Sequence, residues 1–380
     1  MELAYKFRLL PNSKQEEQIV NNFGCCRFVY NCLLSYRKEV YAAEKRTAGY
    51  NECAKMLPIL KDKYEWLAVA DSTALQSSVR NLDNAFQNFF RGLKKPAKKG
   101  HKKRKVGYPQ YKSKHDTHQS YTCKTVGSNI RVIDDEHIQL PKIGAVRFIK
   151  SREIKGRILS ATVSRSASGK YYVSLCCADV EVAALPKTGA VTGVDLGIAD
   201  LAVLDNGFKY ANNKYLSKSA KKLAKLQRSL SRKSKGSNNR KKAKLKVAVL
   251  QERIANRRKD AIHKATTELI RNYDIICIED LDVQEMKKSN HYSAKGFSDS
   301  APYEFRRQLE YKAMMYGKTV VNIGRYFPSS QLCHDCGFQN PAVKDTRIRK
   351  WVCPECGTFH DRDINAAKNI LTEGLKILSV

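Results

Sequence analysis

The chain has 380 residues, 70 of them lysine or arginine and 37 aspartate or glutamate, and its formal net charge is +33. This length allows two or three domains with a sizeable core, and the charge predicts a polyanionic partner. No apolar stretch approaches the roughly 20 residues of a membrane-spanning helix, and Glu2 and Lys6 interrupt the apolar start that a signal peptide needs. We therefore expect no membrane association, a cytosolic location, and cysteines that serve as thiols or metal ligands.

The first half of the sequence predicts β-structure divided by helices. Residues 3–10 alternate apolar and polar over part of their length, which indicates a strand, and Ser13 is the predicted N-cap of a helix that reaches about Glu44. A second helix is predicted from Asp71–Ser72 to Phe90 by its apolar spacing. Short β-type runs between residues 120 and 180 then predict a small antiparallel barrel, which the N-terminal strand completes.

A basic segment follows the second helix. Between Arg91 and Lys114 there are eleven lysines or arginines and no acid, so the segment cannot bury a core of its own. Tyr108 and Tyr111 interleave with the charges and could stack on bases. We interpret the segment as an arm that binds nucleic-acid backbones rather than as a solvated linker. Its candidate contacts are Lys102, Lys103, Arg104 and Lys105.

The second half alternates strands and helices. A strand at 190–194 leads into a hairpin with an Asp-Asn-Gly turn at 205–207. Lys214–Lys259 then carries eighteen lysines or arginines and one acid, Glu252, with leucines along one side. This pattern predicts two amphipathic helices broken near residues 236–239. Charge this one-sided favours phosphate binding over a solvated face, and the candidate contacts are Arg232, Lys233, Arg240 and Lys241.

Three acids lie at the ends of predicted elements in this half. Asp195 follows a strand, Glu279 closes the apolar run at 275–278, and Asp363 begins the last predicted helix. A strand and hairpin, a later parallel strand ending in an acid, and a final helix with an acid in its first turn form an RNase H-like layout. Carboxylates that meet at one sheet edge can hold two Mg²⁺ ions and cleave phosphodiesters.

Other acids lie close to these three along the chain. Asp361 is only two residues from Asp363, and we expect it to cap the helix instead of binding metal. Asp200, Asp280 and Asp282 are expected to be outer or surface acids. The candidate catalytic and magnesium-binding set is therefore Asp195, Glu279 and Asp363.

Four cysteines have the spacing of a zinc site. Two C-x₂-C pairs are separated by sixteen residues, and a glycine, Gly337 or Gly357, follows each pair. This arrangement predicts one structural zinc held by four thiolates in a ribbon. The predicted ligands are Cys333, Cys336, Cys353 and Cys356.

The motifs together resemble TnpB, the transposon-encoded RNA-guided nuclease family related to the type V CRISPR effectors. The specific stretches are Gly193–Gly197, Tyr326–Gly337, His360–Ile370 and the acid at Glu279. Shorter matches in the first half extend the resemblance over almost the whole chain. They are Cys26–Asn31, Ala74–Gln76, Asn88–Phe90 and Leu140–Lys142.

The resemblance implies an α+β multidomain fold: a split wedge β-barrel with an inserted helical recognition domain, then an RNase H-like RuvC domain with an inserted zinc ribbon. The expected boundaries are 1–12 with 115–185 for the wedge and 13–114 for the recognition domain. The nuclease domain would occupy 190–330 with 359–380, and the ribbon 331–358. The stretch Met286–Ser300 matches a lid beside the active site.

The resemblance also implies an activity and partners. We expect an Mg²⁺-dependent RNA-guided DNA endonuclease that takes its guide RNA from the transposon end. The protein would read a short flanking motif in duplex target DNA, and base pairing would supply the remaining specificity. Tyr50 and Gln76 match positions near that motif. The implied setting is a prokaryotic cytoplasm, at the nucleoid when the protein is bound to DNA.

Two alternatives remain open at this point. One is a nuclease-inactive RNA-guided DNA-binding repressor, which should have lost at least one of the three acids. The other is a protein-only RNase H-like transposase or resolvase, which would not need so many phosphate contacts or a zinc ribbon within the nuclease fold. Co-purification of RNA distinguishes the second alternative.

Overall fold

The computed structural model describes residues 1–94, 107–282, 286 and 294–379. The basic cluster Lys102–Lys105 and residues 287–293 of the expected lid therefore lie outside the described residues. The chain divides into two compact units, Met1–Glu181 and Val182–Val380. Across the described ranges, every helix is too short or too polar to cross a membrane.

The first unit contains one seven-stranded antiparallel sheet. Its strands are β1 (Leu3–Leu10), β2 (Gln119–Lys124), β3 (Arg131–Val132), β4 (His137–Leu140), β5 (Gly144–Ile149), β6 (Arg157–Arg165) and β7 (Tyr171–Ala178). They pair in the order β2-β6-β7-β1-β5-β4-β3. The N-terminal strand thus joins the later strands, as predicted, and it lies at the centre of the sheet.

The sheet differs from the predicted barrel because it does not close. Its edge strands are β2 and β3, and within the described part of the chain these two strands do not pair with each other. The strand β3 has only two residues, which is too short to build a ladder along β2. The fold is therefore mixed α/β with an open sheet.

Three helices complete the first unit: α1 (Ser13–Glu44), α2 (Tyr50–Lys63) and α3 (Ser72–Lys94). The N-cap of α1 is Asn12 rather than the predicted Ser13, because the Asn12 side chain accepts a hydrogen bond from the Gln15 backbone and completes a capping box. The helix α2 was not predicted. Only two of its residues, Cys53 and Leu57, are buried, so its apolar periodicity is weak.

The second unit is built on a five-stranded sheet. Its strands are β8 (Val191–Asp195), β9 (Asp200–Leu204), β10 (Lys209–Ala211), β11 (Ile275–Glu279) and β12 (Thr319–Ile323), in the order β10-β9-β8-β11-β12. The strands β8, β11 and β12 are parallel, and β9 and β10 extend the sheet antiparallel. This arrangement agrees with the predicted RNase H-like layout.

The helices of this unit are α4 (Tyr215–Ser231), α5 (Asn238–Asn272), α6 (Ala294–Ser300), α7 (Pro302–Tyr316) and α8 (Arg362–Leu378). A short hairpin, β13 (Lys350–Val352) with β14 (Phe359–Asp361), lies between β12 and α8. The break between the two basic helices spans residues 232–237, so it begins earlier than the predicted interval and overlaps it at 236–237.

The last helix packs directly against the sheet, and two glycines allow this approach. A Cβ atom on Gly193 of β8 would lie 2.0 Å from the Ala367 carbonyl oxygen, and one on Gly374 would lie 2.3 Å from the Cys277 sulfur. No side chain fits at either distance. Glycine at these positions therefore lets the start of α8 reach the edge of the sheet where β8 and β11 end.

Candidate active site

The three predicted catalytic acids converge on one cavity. Asp195 is the last residue of β8 and Glu279 the last residue of β11. These strands are parallel neighbours, so both acids leave the sheet at the same edge. Asp363, in the first turn of α8, joins them, and all three line a cavity of about 610 Å³. The fold thus brings together residues that lie far apart in sequence.

The electrostatics of this cluster favour a bound cation. Burial raises the pKa of the Asp195 carboxyl well above its usual range, and the nearby Glu279 and Asp363 raise it further. Burial also raises the pKa of Glu279, although a hydrogen bond from Ser329 and the positive charge of Arg362 oppose that shift. Carboxylates that raise one another's pKa in this way repel one another, and a bound cation would relieve that repulsion. Oxygen donors of this kind suit Mg²⁺, so the residues fit the expected metal.

Basic side chains share the cavity with the acids. Lys214, Arg349 and Arg362 all line it. Arg349 lies between the two cysteine pairs and donates to Asp363, while Arg362 donates to the Ser330 hydroxyl at 3.3 Å. The sequence analysis missed these residues as site residues. Arg362 stood within the quoted His360–Ile370 stretch, but nothing in the sequence distinguished Arg349 from the other arginines around it.

The neighbouring acids have other partners. Asp361 caps α8, as predicted, because its carboxylate accepts hydrogen bonds from the backbone nitrogens of Asp363 and Ile364 at 3.1 and 3.3 Å. Asp280 forms ion pairs with Arg306 and Arg325, and Asp282 lies 3.1 Å from Arg325. Asp200 lines the cavity at the start of β9.

The four predicted zinc ligands form one cluster. The sulfur atoms of Cys333, Cys336, Cys353 and Cys356 all lie within 4.8 Å of one another. The two pairs Cys333–Cys356 and Cys336–Cys353 are each 3.6 Å apart, close to the roughly 3.8 Å edge of a tetrahedron with Zn–S bonds of about 2.3 Å. The donor set therefore fits a zinc ion bound by four thiolates.

Two tight turns shape this cluster. Gly337 and Gly357 have φ angles of 78° and 73°, which favour glycine. Their backbone nitrogens donate to the carbonyls of Cys333 and Cys353, each at 2.9 Å. His360, which was not a predicted ligand, also contacts the cluster. Its Nε2 lies 3.1 Å from the Cys333 sulfur, and its ring packs on Trp351 at 4.7 Å between centroids.

Part of the expected lid borders the cavity. Met286 and Phe297 line it. Phe297 belongs to α6, whose Asp299 carboxylate accepts hydrogen bonds from the backbone nitrogens of Leu216 and Ser217 at the start of α4. The remainder of the Met286–Ser300 match, residues 287–293, lies outside the described residues.

In the first unit, the candidate motif-reading residues lie near a third side chain. Tyr50 begins α2, and the Arg80 guanidinium stacks on its ring at 3.7 Å from the centroid. Gln76 is exposed on α3, one turn before Arg80. Arg80, which was not predicted as a site residue, therefore contacts Tyr50 and lies one helical turn from Gln76.

The candidate contacts at the break between α4 and α5 have different roles. The Arg240 guanidinium donates to the carbonyls of Leu230 and Lys233, both at 2.9 Å, and so fixes the connection between the helices. Lys241 donates to the Asn238 side chain at 3.2 Å. Arg232 and Lys233 are exposed in the connection that follows α4. We therefore expect Arg240 to support the connection rather than to be a freely available contact.

The two tyrosines of the basic segment contact side chains of α1 and α3 and remain exposed. The Tyr108 ring contacts Phe86 and Phe89 edge-on, with centroids 5.4 and 5.3 Å apart. Tyr111 lies under the Lys38 ammonium at 4.2 Å, and its hydroxyl is 3.1 Å from that of Ser35. Both rings therefore hold the end of the segment against α1 and α3, and both remain partly exposed, so stacking on bases stays a prediction.

Comparisons with known families give three matches along the chain. A family model described as "Probable transposase" matches residues 174–290, and one described as "Cas12f1-like, TNB domain" matches residues 303–370. A model described as "Helix-turn-helix domain" matches residues 1–46. In this structure those 46 residues are mainly β1 and the single long helix α1.

Whole-chain comparisons identify similar proteins. One, described as "Putative RNA-guided DNA endonuclease" from Streptomyces pristinaespiralis, is 37% identical over 98% of this chain and 89% of its own length. Another with this description, InsQ of Escherichia coli strain K12, is 34% identical over 99% and 93%. Among solved structures, the protein of a Cas12f1–sgRNA–target DNA complex shares the fold, with a TM-score of 0.55, 14% identity and coverage of 97% and 98%.

Proposed function

Because the chain belongs to the TnpB family, we propose that it is an RNA-guided DNA endonuclease, the activity by which its relatives from Streptomyces pristinaespiralis and Escherichia coli are described. The observation that carries the proposal is the convergence of Asp195, Glu279 and Asp363 on one cavity. A repressor without nuclease activity would have no use for three acids whose mutual repulsion has to be overcome.

The three acids would hold two Mg²⁺ ions. Bound there, the metals would lower the pKa of the attacking water and neutralise charge on the leaving oxygen. Asp195 and Glu279 extend from rigid parallel strands, and Asp363 is fixed by the first turn of α8. The guanidinium groups of Arg349 and Arg362 give the cavity positive charge that suits the scissile phosphate.

The cysteine cluster would hold one structural zinc in a ribbon inserted at 331–358. Four thiolates fill the tetrahedron, so the zinc would have no open position for catalysis. Its role would be to fold the segment between β12 and α8. The remaining parts would be a wedge at 1–12 with 115–185, a recognition domain at 13–114, and the nuclease domain at 190–330 with 359–380.

Guide RNA and target DNA would be bound by different parts of the chain. The helices α4 and α5 would hold nucleic-acid backbones through their lysines and arginines, assisted by Lys102–Lys105. Tyr50, Gln76 and Arg80 would read the flanking motif. Base pairing with the guide would supply the rest of the sequence specificity, since each good side-chain contact to a base discriminates by only about 1–3 kcal/mol.

The test is to replace the guide segment of the RNA that co-purifies with the protein. Cutting should move to the new target. In a library of randomised flanks, the sequences that are cut and depleted should share defined bases at a few positions next to the target. Cutting that ignores the guide would overturn the proposal in favour of a protein-only transposase or resolvase. Guided binding without any cutting would favour the repressor.

A further inference from the structure

We propose that Ser329 positions the Glu279 carboxylate for metal, and that two buried asparagines of α8 hold the segment carrying Ser329. The base of the zinc ribbon and the metal site would then form one hydrogen-bonded unit. This inference rests on the proposed function, because it assigns a role within the same site. It concerns residues 324–334, which connect β12 to the first cysteine pair.

The first step is the contact between Ser329 and Glu279. The Ser329 hydroxyl donates a hydrogen bond to Glu279 Oε1, and only 6% of Ser329 is exposed. In the sheet, Glu279 pairs with Ile323 of the parallel strand β12. The chain must turn back after β12 to place Ser329 on this acid. Four backbone hydrogen bonds of 2.9 to 3.2 Å within residues 324–332 fix that turn.

The second step is the support of this turn by α8. The Asn369 amide donates to the carbonyls of Ser329 and Leu332 at 2.8 and 2.7 Å. The Asn365 amide donates to the same Leu332 carbonyl at 2.6 Å, and its oxygen accepts from the His334 backbone nitrogen at 3.0 Å. Both asparagines are buried, so they depend on these partners for their hydrogen bonds.

These contacts make one helix responsible for two of the three acids. Asp363 lies in the first turn of α8, and Asn365 and Asn369 follow on the same helix. The helix thus positions the Asp363 carboxylate directly, and it positions the Glu279 carboxylate through Asn369 and Ser329. The bonds from Asn365 flank Cys333 on both sides, through Leu332 and His334, and so fix the backbone of the first predicted zinc ligand.

A serine suits this position for a simple chemical reason. Its hydroxyl supplies one donor, so it orients the carboxylate while the remaining lone pairs of that group stay available to a metal. Outer groups that orient a metal ligand typically contribute 10–100-fold to metal affinity or activity. We expect an effect of this size from Ser329, well below the complete loss expected for Glu279 itself.

The test compares Ser329→Ala with Thr372→Ala in the full chain bound to its guide RNA. Thr372 is an exposed hydroxyl of α8 that donates to the Lys368 carbonyl of its own helix at 3.2 Å, which makes it a matched control. Affinity for Mn²⁺ is measured by electron paramagnetic resonance, and cleavage is measured as a function of Mg²⁺. Ser329→Ala should need about 10–100-fold more of either metal, and Thr372→Ala should match the unchanged protein.

Further measurements separate positioning from folding. Ser329→Ala should keep its zinc, its thermal midpoint and its target binding, and high Mg²⁺ should restore most of its cleavage. Asn369→Ala should weaken Mn²⁺ binding in the same direction. Suppose that the protein without substitutions binds metal and cuts DNA, and that Ser329→Ala binds metal with the same affinity. This result would overturn the inference about Ser329 and leave the proposed function standing. An unchanged protein that neither binds Mn²⁺ nor cuts would instead overturn the proposed function.

Discussion

The guanidinium of Arg349 donates hydrogen bonds to both carboxylate oxygens of Asp363, at 3.2 and 3.4 Å. Arg349 lies between the two cysteine pairs, whereas Asp363 lies on α8. The segment that carries the cysteines therefore contributes a side chain to the cavity that the three acids line. A guanidinium in this position offsets part of the negative charge that the three acids bring together.

Replacing any of the three acids by alanine should abolish cleavage and leave target binding largely intact. The expected loss exceeds the 10–100-fold typical of outer groups at metal sites, because Asp195, Glu279 and Asp363 would bind the metals themselves. Cleavage with Mg²⁺ and a gel-shift assay measure the two properties separately. If one variant still cut DNA, the residue replaced in it would not be a metal ligand, and Asp361 would be the next residue to test.

The same cluster predicts a gain in stability. Asp195→Asn should raise the thermal midpoint of the protein without divalent metal, because it removes a buried charge from two like neighbours. The control is Asp260→Asn, an exposed acid on α5 that lies 2.9 Å from Lys264. Asp260→Asn should not raise the midpoint. An unchanged or lowered midpoint for Asp195→Asn would show that repulsion within the cluster is small.

Cys353→Ser should remove the zinc and unfold the ribbon, because free energy of structural zinc binding is free energy of folding. Elemental analysis should give about one zinc per chain for the unchanged protein, and hydrogen exchange should show lost protection across 331–358 in the variant. Cys32→Ser, a thiol outside the cluster, serves as the control. Fresh, active protein without zinc would contradict this prediction.

RNA binding should depend steeply on salt because lysines and arginines would displace counterions from phosphates. Glutamine at four exposed lysines of α4 and α5 should flatten the plot of log affinity against log salt by about 3 units, given a slope of about −0.7 for each phosphate of a single strand. The set is Lys221, Lys225, Lys242 and Lys244. An unchanged slope would mean that these charges face solvent in the complex.

Lys312 should make stability increase with pH. It is buried, and its ammonium donates to the His263 carbonyl and to the hydroxyls of Thr266 and Thr267 at 2.6 to 2.9 Å. Burial lowers the pKa of Lys312 from 10.5 to about 8. Between these values the unfolded chain holds the proton that the folded chain has released, so stability from this group increases as pH rises through that interval.

The measurement is the free energy of unfolding of the unchanged protein and of Lys312→Met between pH 7 and 10. The difference between them should change by up to about 3 kcal/mol in favour of the unchanged protein as pH rises. Lys264→Met, which removes an exposed lysine, is the control and should show no such trend. Parallel curves for the unchanged protein and Lys312→Met would contradict the assignment.

The sequence predicted best those features that depend on a local pattern of residues. The strands ending at Asp195 and Glu279, the helix beginning at Arg362 and the spacing of the cysteines could all be predicted, because each depends on local pattern. Ser329, Arg349 and Asn369 were not identified as site residues. Their roles depend on which distant carboxylate or carbonyl the fold brings to them, and a serine or asparagine in a loop or helix gives no indication of that partner.

The barrel expectation was wrong for a related reason. Alternation indicates that strands exist, but closure depends on the length of the edge strands, and β3 spans only Arg131–Val132. The helix α2 was missed because so little of it is buried. Tyr108 illustrates a third limit, because the sequence around it did not indicate that its ring contacts Phe86 and Phe89 of α3.

The position of α8 in the chain also sets the order in which the parts arise during synthesis. Strand β8 leaves the ribosome long before α8 does. Ala367 of α8 can therefore pack against Gly193 of this strand only at the end of synthesis. The basic helices α4 and α5 emerge in between. A growing chain could therefore acquire its RNA while Asp363 is still missing, so that the nuclease would be completed only after the proposed guide-binding surface exists.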